Sequence, residues 1–250
     1  MQHRSLKIIA LTLALTAVGC NTIQQETDQN ITLIADPKVL AISVKENHER
    51  MIDLRHQKII AYGPSPEIEN NTCYTKMRRT VYRKLIEAQK LLPKGIELRV
   101  YEAYRSIALQ QMLFDKYYAR MKAEHPSFTH EELFKETIKL VSPVTNLDGT
   151  KNVLPHSTGA AIDVYLVDEK GNVLDMGIET KDWADDLDGS ISITNSEKIS
   201  EEAKKNRKIM SDALTAVGFV NYPTEYWHWS YGDRYWAYMK KEKHALYGSL

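Results

Sequence analysis

"PHSTGAAIDV", Pro155 to Val164, places His156 seven residues before Asp163, with Gly159 between them. Glycine and the β-branched residues around Asp163 disfavour a helix. Along one regular strand, an odd spacing would direct the two side chains to opposite faces. We therefore predict a loop that carries His156, turns at Gly159 and continues as a strand over residues 162–167. Such a loop folds the histidine back over the face that shows the aspartate, so the two could bind one metal ion.

Hydrophobic periodicity along the rest of the chain predicts separated helices and hairpin-like strands. The predicted helices cover residues 74–92, 107–125, 125–141 and 200–218, and the predicted strands cover 96–104, 161–177 around a turn at 170–172, and 225–231. Thr129 is the expected N-cap of the third helix, and Gly218 is expected to end the last one. The mixture indicates one α+β domain with a central, mostly antiparallel sheet flanked by helices.

The N-terminus has the features of a secretory signal. A basic start is followed by the apolar run "IIALTLALTAV", which is shorter than the ~20 apolar residues of a membrane span. The run ends in "AVGC", which resembles the lipobox of bacterial lipoproteins and makes Cys20 the expected lipidation site. The alternative is plain secretion with a nearby cleavage site. We expect a lipoprotein signal over 1–20, a flexible tether over 21–40 and the folded domain over 41–250, held in the cell envelope at the periplasmic or outer surface.

Composition excludes some classes of function. The chain has 33 basic and 33 acidic residues, so no net charge attracts it to nucleic acid. If Cys20 carries lipid, Cys73 is the one cysteine left and cannot form an internal disulfide. Because no histidine lies near Cys73 in the sequence, we expect it to be a buried small residue and not a nucleophile.

A catalytic zinc ion needs three protein ligands and one open position, so His156 and Asp163 require a third partner. Most of the eight histidines lie in the signal or in charged stretches typical of a solvated surface. "HEELF" at His130 lacks the second histidine of the HExxH zinc helix, because Phe134 stands in its place. His228 in "EYWHW" is left as the third candidate. The alternative is a histidine of the apolar core.

Glu225, three residues before His228, favours the ligand interpretation. A zinc hydrolase needs a nearby carboxylate that is not a ligand, to take a proton from the zinc-activated water and pass it to the leaving amine. On a regular strand Glu225 and His228 would face opposite ways. We therefore expect Glu225 at a bend that Pro223 and Thr224 supply. A di-iron Glu-x-x-His site is the other possibility, but it needs two such motifs and the chain has one.

Five motifs in this order resemble the M15-type zinc D,D-peptidases, and most of all their D-alanyl-D-alanine dipeptidases. The motifs are "YEAYRS" (101–106), "HSTGAAID" (156–163), "LDMG" (174–177), "NRKIM…GF" (206–219) and "EYWHW" (225–229), and the match extends from Cys73 to Trp229. The resemblance implies the fold that D,D-peptidases share with the signalling domain of hedgehog proteins.

The same resemblance implies site roles. One zinc ion per chain would be held by His156, Asp163 and His228. Glu225 would be the general base and acid, and Arg105 would be the cation that stabilises the transition state. This chemistry is self-consistent without the resemblance, because zinc polarises the scissile carbonyl while a cation stabilises the negative charge that forms on its oxygen. For Arg105 the alternative is a surface salt bridge.

The chain departs from the dipeptidase pattern at the positions that are expected to bind the substrate. The family carries a serine before the first histidine, where Leu154 and Pro155 stand here. It follows Met-Gly with Phe-Asp, whose aspartate binds the substrate's free ammonium group. In this chain Lys181 falls in that register and Asp182 lies one residue further, so Asp182 is the expected substitute. Glu102 replaces the aspartate of the arginine motif, which changes only the side-chain length.

The resemblance implies zinc-dependent hydrolysis of D-alanyl-D-alanine, or a close relative, in the cell envelope. The alternative is a zinc D,D-carboxypeptidase that trims peptidoglycan stem peptides. A third interpretation is a non-catalytic zinc module, as in hedgehog proteins, and the presence of Glu225 and Arg105 counts against it. The expected partners are a small D-amino-acid dipeptide or a stem peptide, and the membrane through the lipid anchor.

Overall fold

A five-stranded sheet lies at the centre of the computed structural model, which describes residues 31–250. The strands of this part are β1 (Met51–Asp53), β2 (Ala61–Tyr62), β3 (Lys76–Arg78), β4 (Ile96–Glu102), β5 (Ala161–Asp168), β6 (Val220–Tyr222) and β7 (Glu225–Ser230). The central sheet has the order β2-β4-β5-β7-β6, in which β2 and β4 are parallel and the other neighbours antiparallel. β1 and β3 form a separate antiparallel pair. The predicted α+β class with a mostly antiparallel sheet is confirmed.

Helices surround this sheet. They are α1 (Pro37–Leu40), α2 (Arg79–Gln89), α3 (Ile107–Glu124), α4 (His130–Thr137), α5 (Glu201–Ala216) and α6 (Arg234–Lys240), with short 3-10 helices at Leu54–His56, Cys73–Thr75, His156–Thr158 and Thr180–Asp185. Within residues 31–250, none of the helices combines the length and the apolar character that a membrane crossing requires.

The core forms where α2 and α5 pack on one face of β5. Ile162, Val164 and Leu166 of β5 are fully buried there, together with side chains of α2 and α5 such as Leu85 and Met210. Since side chains alternate along a strand, Asp163 emerges on the opposite face. One face of the sheet therefore builds the core and the other is free to carry a polar site.

Several predicted elements have the predicted ends. The helix at 107–125 and the strand at 225–231 each differ from prediction by one residue. Thr129 forms a capping box with Glu132, in which each residue's side chain accepts a hydrogen bond from the other's backbone N–H. Gly218 has φ +96° just after α5, as expected of a residue that ends a helix. Helix α6 was not predicted; Asp233 caps it by accepting a 2.8 Å hydrogen bond from the Trp236 N–H.

The helix predicted over 74–92 begins only at Arg79, because the preceding residues form β3. Arg78 ends this strand with a guanidinium group that is 1% exposed. Its Nε donates a 2.7 Å hydrogen bond to the Thr158 carbonyl and its Nη1 donates one of 2.7 Å to the Glu49 carbonyl. These distant acceptors hold Arg78 in extended backbone. Cys73, expected to be buried, is only half-buried in the 3-10 helix before β3.

The second strand predicted within 161–177 is absent, apart from a single bridge between Val167 and Val173. Side chains of helix α5 form hydrogen bonds with the backbone of this segment instead. The Asn206 amide donates to the Asp175 carbonyl at 2.9 Å, and Arg207 Nε donates to the Met176 carbonyl at 2.8 Å. The "LDMG" and "NRKIM" motifs therefore contact each other. The Leu174 N–H still donates to the Leu166 carbonyl of β5 at 3.0 Å, whereas the next two carbonyls accept from side chains of α5.

Part of the predicted tether is folded. Thr32–Leu250 forms one compact unit, in which Ile34 and Val39 are 6% and 1% exposed. Both pack against Tyr222 and Tyr235. The folded domain thus begins earlier than the predicted residue 41. The signal over 1–20, Cys20 and the tether up to residue 30 lie outside the described residues.

Candidate active site

The turn predicted between His156 and Asp163 brings these two side chains together. His156 lies in a short 3-10 helix, and Gly159 after it has φ +70°, a left-handed conformation that suits glycine. A Cβ atom at position 159 would also come within 2.5 Å of the Met51 side chain. The chain then enters β5, which carries Asp163.

His228 joins them through strand pairing. β5 and β7 are antiparallel, and Asp163 lies directly opposite His228 in their register. His156, Asp163 and His228 are 6%, 4% and 4% exposed. One ligand atom from each lies within 4.8 Å of the other two. The structure therefore brings the three predicted ligands into one buried cluster that could hold a metal ion.

Hydrogen bonds orient both histidine rings. His156 Nδ1 lies 2.7 Å from the Ala103 carbonyl and must carry its proton to donate there, which leaves the Nε2 lone pair facing the cluster. His228 presents Nδ1 to Asp163 Oδ1 at 3.1 Å. Its Nε2 is buried without a hydrogen-bond partner among the described residues. Both rings thus direct one nitrogen at the carboxylate.

The cluster has the charge of a cation site. Burial alone would raise the pKa of the Asp163 carboxyl, but His156 and His228 hold that pKa well below its usual range. Burial would lower the pKa of His228, and the adjacent Asp163 raises it above the usual value. A carboxylate that stays ionised in a buried pocket is a suitable anionic ligand for a divalent cation.

Glu225 lies at the start of β7, just after the turn at Pro223 and Thr224. The register between β6 and β7 shifts at Asn221 and Tyr222, and this irregularity accompanies the bend that the sequence led us to expect. Glu225 Oε2 lies 4.0 Å from His228 Nδ1 and accepts a 3.0 Å hydrogen bond from the Trp227 indole. Glu225 is therefore beside the cluster despite its odd spacing from His228.

Burial raises the pKa of Glu225 to about 7, against the opposing effect of His228, while the negative charge of Asp163 adds to the rise. A carboxyl group whose pKa lies near neutrality can both accept and return a proton under physiological conditions. This is the property that a general base and acid requires.

Arg105 faces the cluster from the end of β4. Its Nη2 lies 4.0 Å from Asp163 Oδ2. Its Nε donates a 3.0 Å hydrogen bond to Glu102, its Nη2 donates a second one to the same carboxylate, and its Nη1 donates a 2.9 Å bond to Gln110. A bulge in β4 places Glu102 opposite Asp163, with its side chain fully buried. These contacts describe a fixed cation, and they do not fit the surface salt bridge that was the alternative.

Asp182, the expected ammonium-binding residue, does not line the cleft. Its side chain is 45% exposed and pairs with Lys181 at 2.7 Å. In a 3-10 helix the side chains at i and i+3 share a face, and here Thr180 and Trp183 are the pair that faces the cleft. The intervening Lys181 and Asp182 point away from it.

Among the polar residues of the cleft that sequence reasoning missed are Gln110 and Glu67. Gln110 is a fully polar side chain on the buried face of α3, and that break in an apolar face was a signal that could have identified it. Glu67 lies in the irregular loop between β2 and the 3-10 helix at Cys73–Thr75, where no pattern distinguishes it. Ile34, Tyr101 and Trp183 supply apolar wall to the same cleft.

Comparison with known proteins gives the following relatives. The family model Peptidase_M15, described as D-ala-D-ala dipeptidase, matches residues 70–245. A D-alanyl-D-alanine dipeptidase of Synechocystis sp. is 27% identical over 238 residues, covering 84% of this chain and 96% of that protein. A D-alanyl-D-alanine dipeptidase of Escherichia coli K12 is 28% identical over 174 residues, covering 68% of this chain and 75% of that protein. Among solved structures, VanYB in complex with D-alanine-D-alanine aligns with a TM-score of 0.39 and 17% identity, over 76% of this chain and 88% of that one.

Proposed function

This chain belongs to the M15 peptidase family, and we propose that it hydrolyses free D-alanyl-D-alanine, or a close relative, with one bound zinc ion. The observation that carries the proposal is the convergence of His156, Asp163 and His228 on one point. Glu225 and Arg105 lie beside that point. A metal site alone would suit a binding module, whereas a proton carrier and a fixed cation next to it suit hydrolysis.

The donor atoms fit zinc. His156 Nε2 lies 3.2 Å from His228 Nδ1 and 3.4 Å from Asp163 Oδ2, and His228 Nδ1 lies 3.1 Å from Asp163 Oδ1. A tetrahedron with metal–ligand bonds of ~2.0–2.1 Å has edges of roughly 3.3–3.4 Å, close to the distance between the two histidine nitrogens. The two histidines approach different oxygens of Asp163, and one of these oxygens would be the third ligand. Two nitrogens and one carboxylate oxygen also form a usual ligand set of catalytic zinc. When bound, zinc supplies a Lewis acid that polarises a carbonyl oxygen and lowers the pKa of a water molecule.

Glu225 would carry the proton. Its carboxylate accepts the proton of the attacking water and then delivers it to the nitrogen of the leaving D-alanine, so that the amine departs in neutral form. The Trp227 indole holds one oxygen of this carboxylate at 3.0 Å and fixes its direction. Burial raises the pKa of Glu225 to about 7, which makes its carboxylate a stronger base than that of a solvated glutamate.

Arg105 would stabilise the negative charge that develops on the scissile carbonyl oxygen. Glu102 and Gln110 hold its guanidinium before the substrate arrives, so little reorganisation is needed during the reaction. Burial would lower the pKa of Arg105, but Glu102 and Asp163 raise it, and the group stays charged.

The proposal is tested by comparing free D-Ala-D-Ala with N-acetyl-D-Ala-D-Ala as substrates of the zinc-loaded protein. We expect kcat/KM to be at least about 100-fold higher for the free dipeptide, because acetylation removes the positive charge by which a dipeptidase distinguishes its substrate from a longer peptide. A preference for the acetylated peptide would instead support the D,D-carboxypeptidase. Cleavage of neither peptide would support a non-catalytic zinc module.

We also propose that the enzyme is anchored to a membrane of the cell envelope through lipid on Cys20. The support is the "AVGC" sequence after a short apolar run. We expect the full chain to fractionate with membranes and a Cys20→Ser variant to remain unprocessed or unlipidated. Unmodified wild-type chain recovered from the medium would contradict the anchor.

A further inference from the structure

A dipeptidase must distinguish a free dipeptide from the end of a longer peptide, and the feature that differs is the free ammonium group. This group is separated from the scissile carbonyl carbon by a single carbon atom. The side chain that binds it must therefore line the cleft that holds His156, Asp163 and His228. Asp182 does not meet this condition.

Among residues 31–250, three carboxylates do line the cleft: Asp163, Glu225 and Glu67. Asp163 is held between the two histidines, and Glu225 is the proton carrier of the proposed reaction. Glu102, just behind, is paired with Arg105. Glu67 is the remaining carboxylate of this cleft lining, and it has none of these roles.

Glu67 is half-buried, and the nearby Arg105 affects its pKa without forming an ion pair with it. Burial raises the pKa of its carboxyl, and the negative charge of Glu102 raises it further. Arg105, Trp183 and Lys116 oppose these effects without cancelling them. Arg105 directs its hydrogen bonds to Glu102 and Gln110 and makes no ion pair with Glu67 in the described part of the chain. The site thus contains a partly desolvated carboxylate that has no ion-pair partner among residues 31–250.

We propose that Glu67 binds the free α-ammonium group of the substrate dipeptide and is the residue that selects free dipeptides over acylated peptides. This inference rests on the proposed function. The ammonium group of the substrate supplies the positive charge that the protein does not place against Glu67. An acylated substrate brings a neutral amide there and leaves the carboxylate unpaired, which costs binding energy. Trp183, whose indole N–H lowers the pKa of Glu67, would help to orient the carboxylate.

The test is the Glu67→Gln variant, which keeps the shape of the side chain and removes its charge. We expect kcat/KM for free D-Ala-D-Ala to fall about 10- to 100-fold, as for loss of a hydrogen bond to a charged group. The value for N-acetyl-D-Ala-D-Ala should stay within about twofold of wild type, which also shows that the variant is folded. Glu69→Gln, the same change at an exposed position of the same loop, is the matched control and should alter neither value.

A binding measurement separates this inference from the proposed function. In a Glu225→Gln background, in which turnover should be at least about 100-fold slower, calorimetric titration should show weaker binding of free D-Ala-D-Ala after Glu67→Gln. Binding of the acetylated peptide should be unchanged. The role of Glu67 would be overturned if Glu67→Gln weakened the binding of both peptides equally or of neither. It would also be overturned if Asp182→Asn, and not Glu67→Gln, selectively weakened the binding of the free dipeptide. A wild-type protein that cleaves neither peptide would overturn the proposed function, while the titration would still report on Glu67.

Discussion

Glu225→Gln is expected to keep its zinc and to lose roughly 10²–10⁴ in kcat, the usual contribution of general acid–base catalysis. The carboxamide has the shape of the carboxylate and can still accept the hydrogen bond that the Trp227 indole donates at 3.0 Å. It cannot take up a proton from water. The local structure should therefore survive while proton transfer is lost. The measurement is steady-state hydrolysis of D-Ala-D-Ala alongside the zinc content of the same sample.

Two further variants complete this test, one as a control and one as a probe of Arg105. Glu197→Gln, at a side chain that is 89% exposed, should leave both kcat and zinc content unchanged. Arg105→Lys should also keep zinc yet lose about 10²–10³ in kcat, because lysine cannot reproduce the fork that binds Glu102 and Gln110. Loss of zinc from Glu225→Gln would make that residue a ligand, and unchanged turnover would remove it from the mechanism.

The sequence predicted the parts of the site that depend on local patterns. The spacing of His156, Gly159 and Asp163 predicts a loop, a turn and a strand, and the structure has all three. The bend before Glu225 follows from Pro223 in the same way. These features depend on propensities of neighbouring residues, which a single sequence displays directly.

The parts that could not be predicted depend on distant partners. Asp175 and Met176 leave the sheet because Asn206 and Arg207 bind their carbonyls, some 30 residues further along the chain. Arg78 stays extended because it binds Thr158, although its own neighbours have helical periodicity. Such tertiary contacts override local propensity, and no pattern within the segment reveals them.

Prediction of the substrate pocket from the sequence was limited for the same reason. The family register directed attention to Asp182, which is close in sequence to the expected position but faces solvent. Glu67 belongs to a loop without periodicity and reaches the cleft only through the fold. A specificity residue on a loop is less predictable than a metal ligand on a strand, because its position depends on the path of the loop.

Removal of the metal is expected to have the largest effect. The zinc-loaded protein should contain about one zinc ion per chain, and chelation should abolish hydrolysis until Zn²⁺ is restored. The combined variant Asp163→Ala with His228→Ala leaves one of three ligands and should bind no zinc. His130→Ala, at an exposed histidine outside the cleft, is the matched control and should keep both metal and activity.

The fold itself should survive chelation, because the site has other contacts that hold its side chains. Asp163 remains within 3.1 Å of His228 and 3.4 Å of His156, and His156 remains bonded to the Ala103 carbonyl at 2.7 Å. The chelated protein should still melt cooperatively, with a lower Tm than the zinc-bound form, since a ligand that binds only the folded state stabilises it. Full activity after chelation, or zinc retained by the double variant, would refute the metal site. Unfolding on chelation would mean that the metal is structural, because a zinc ion that serves only catalysis can be removed from a folded chain.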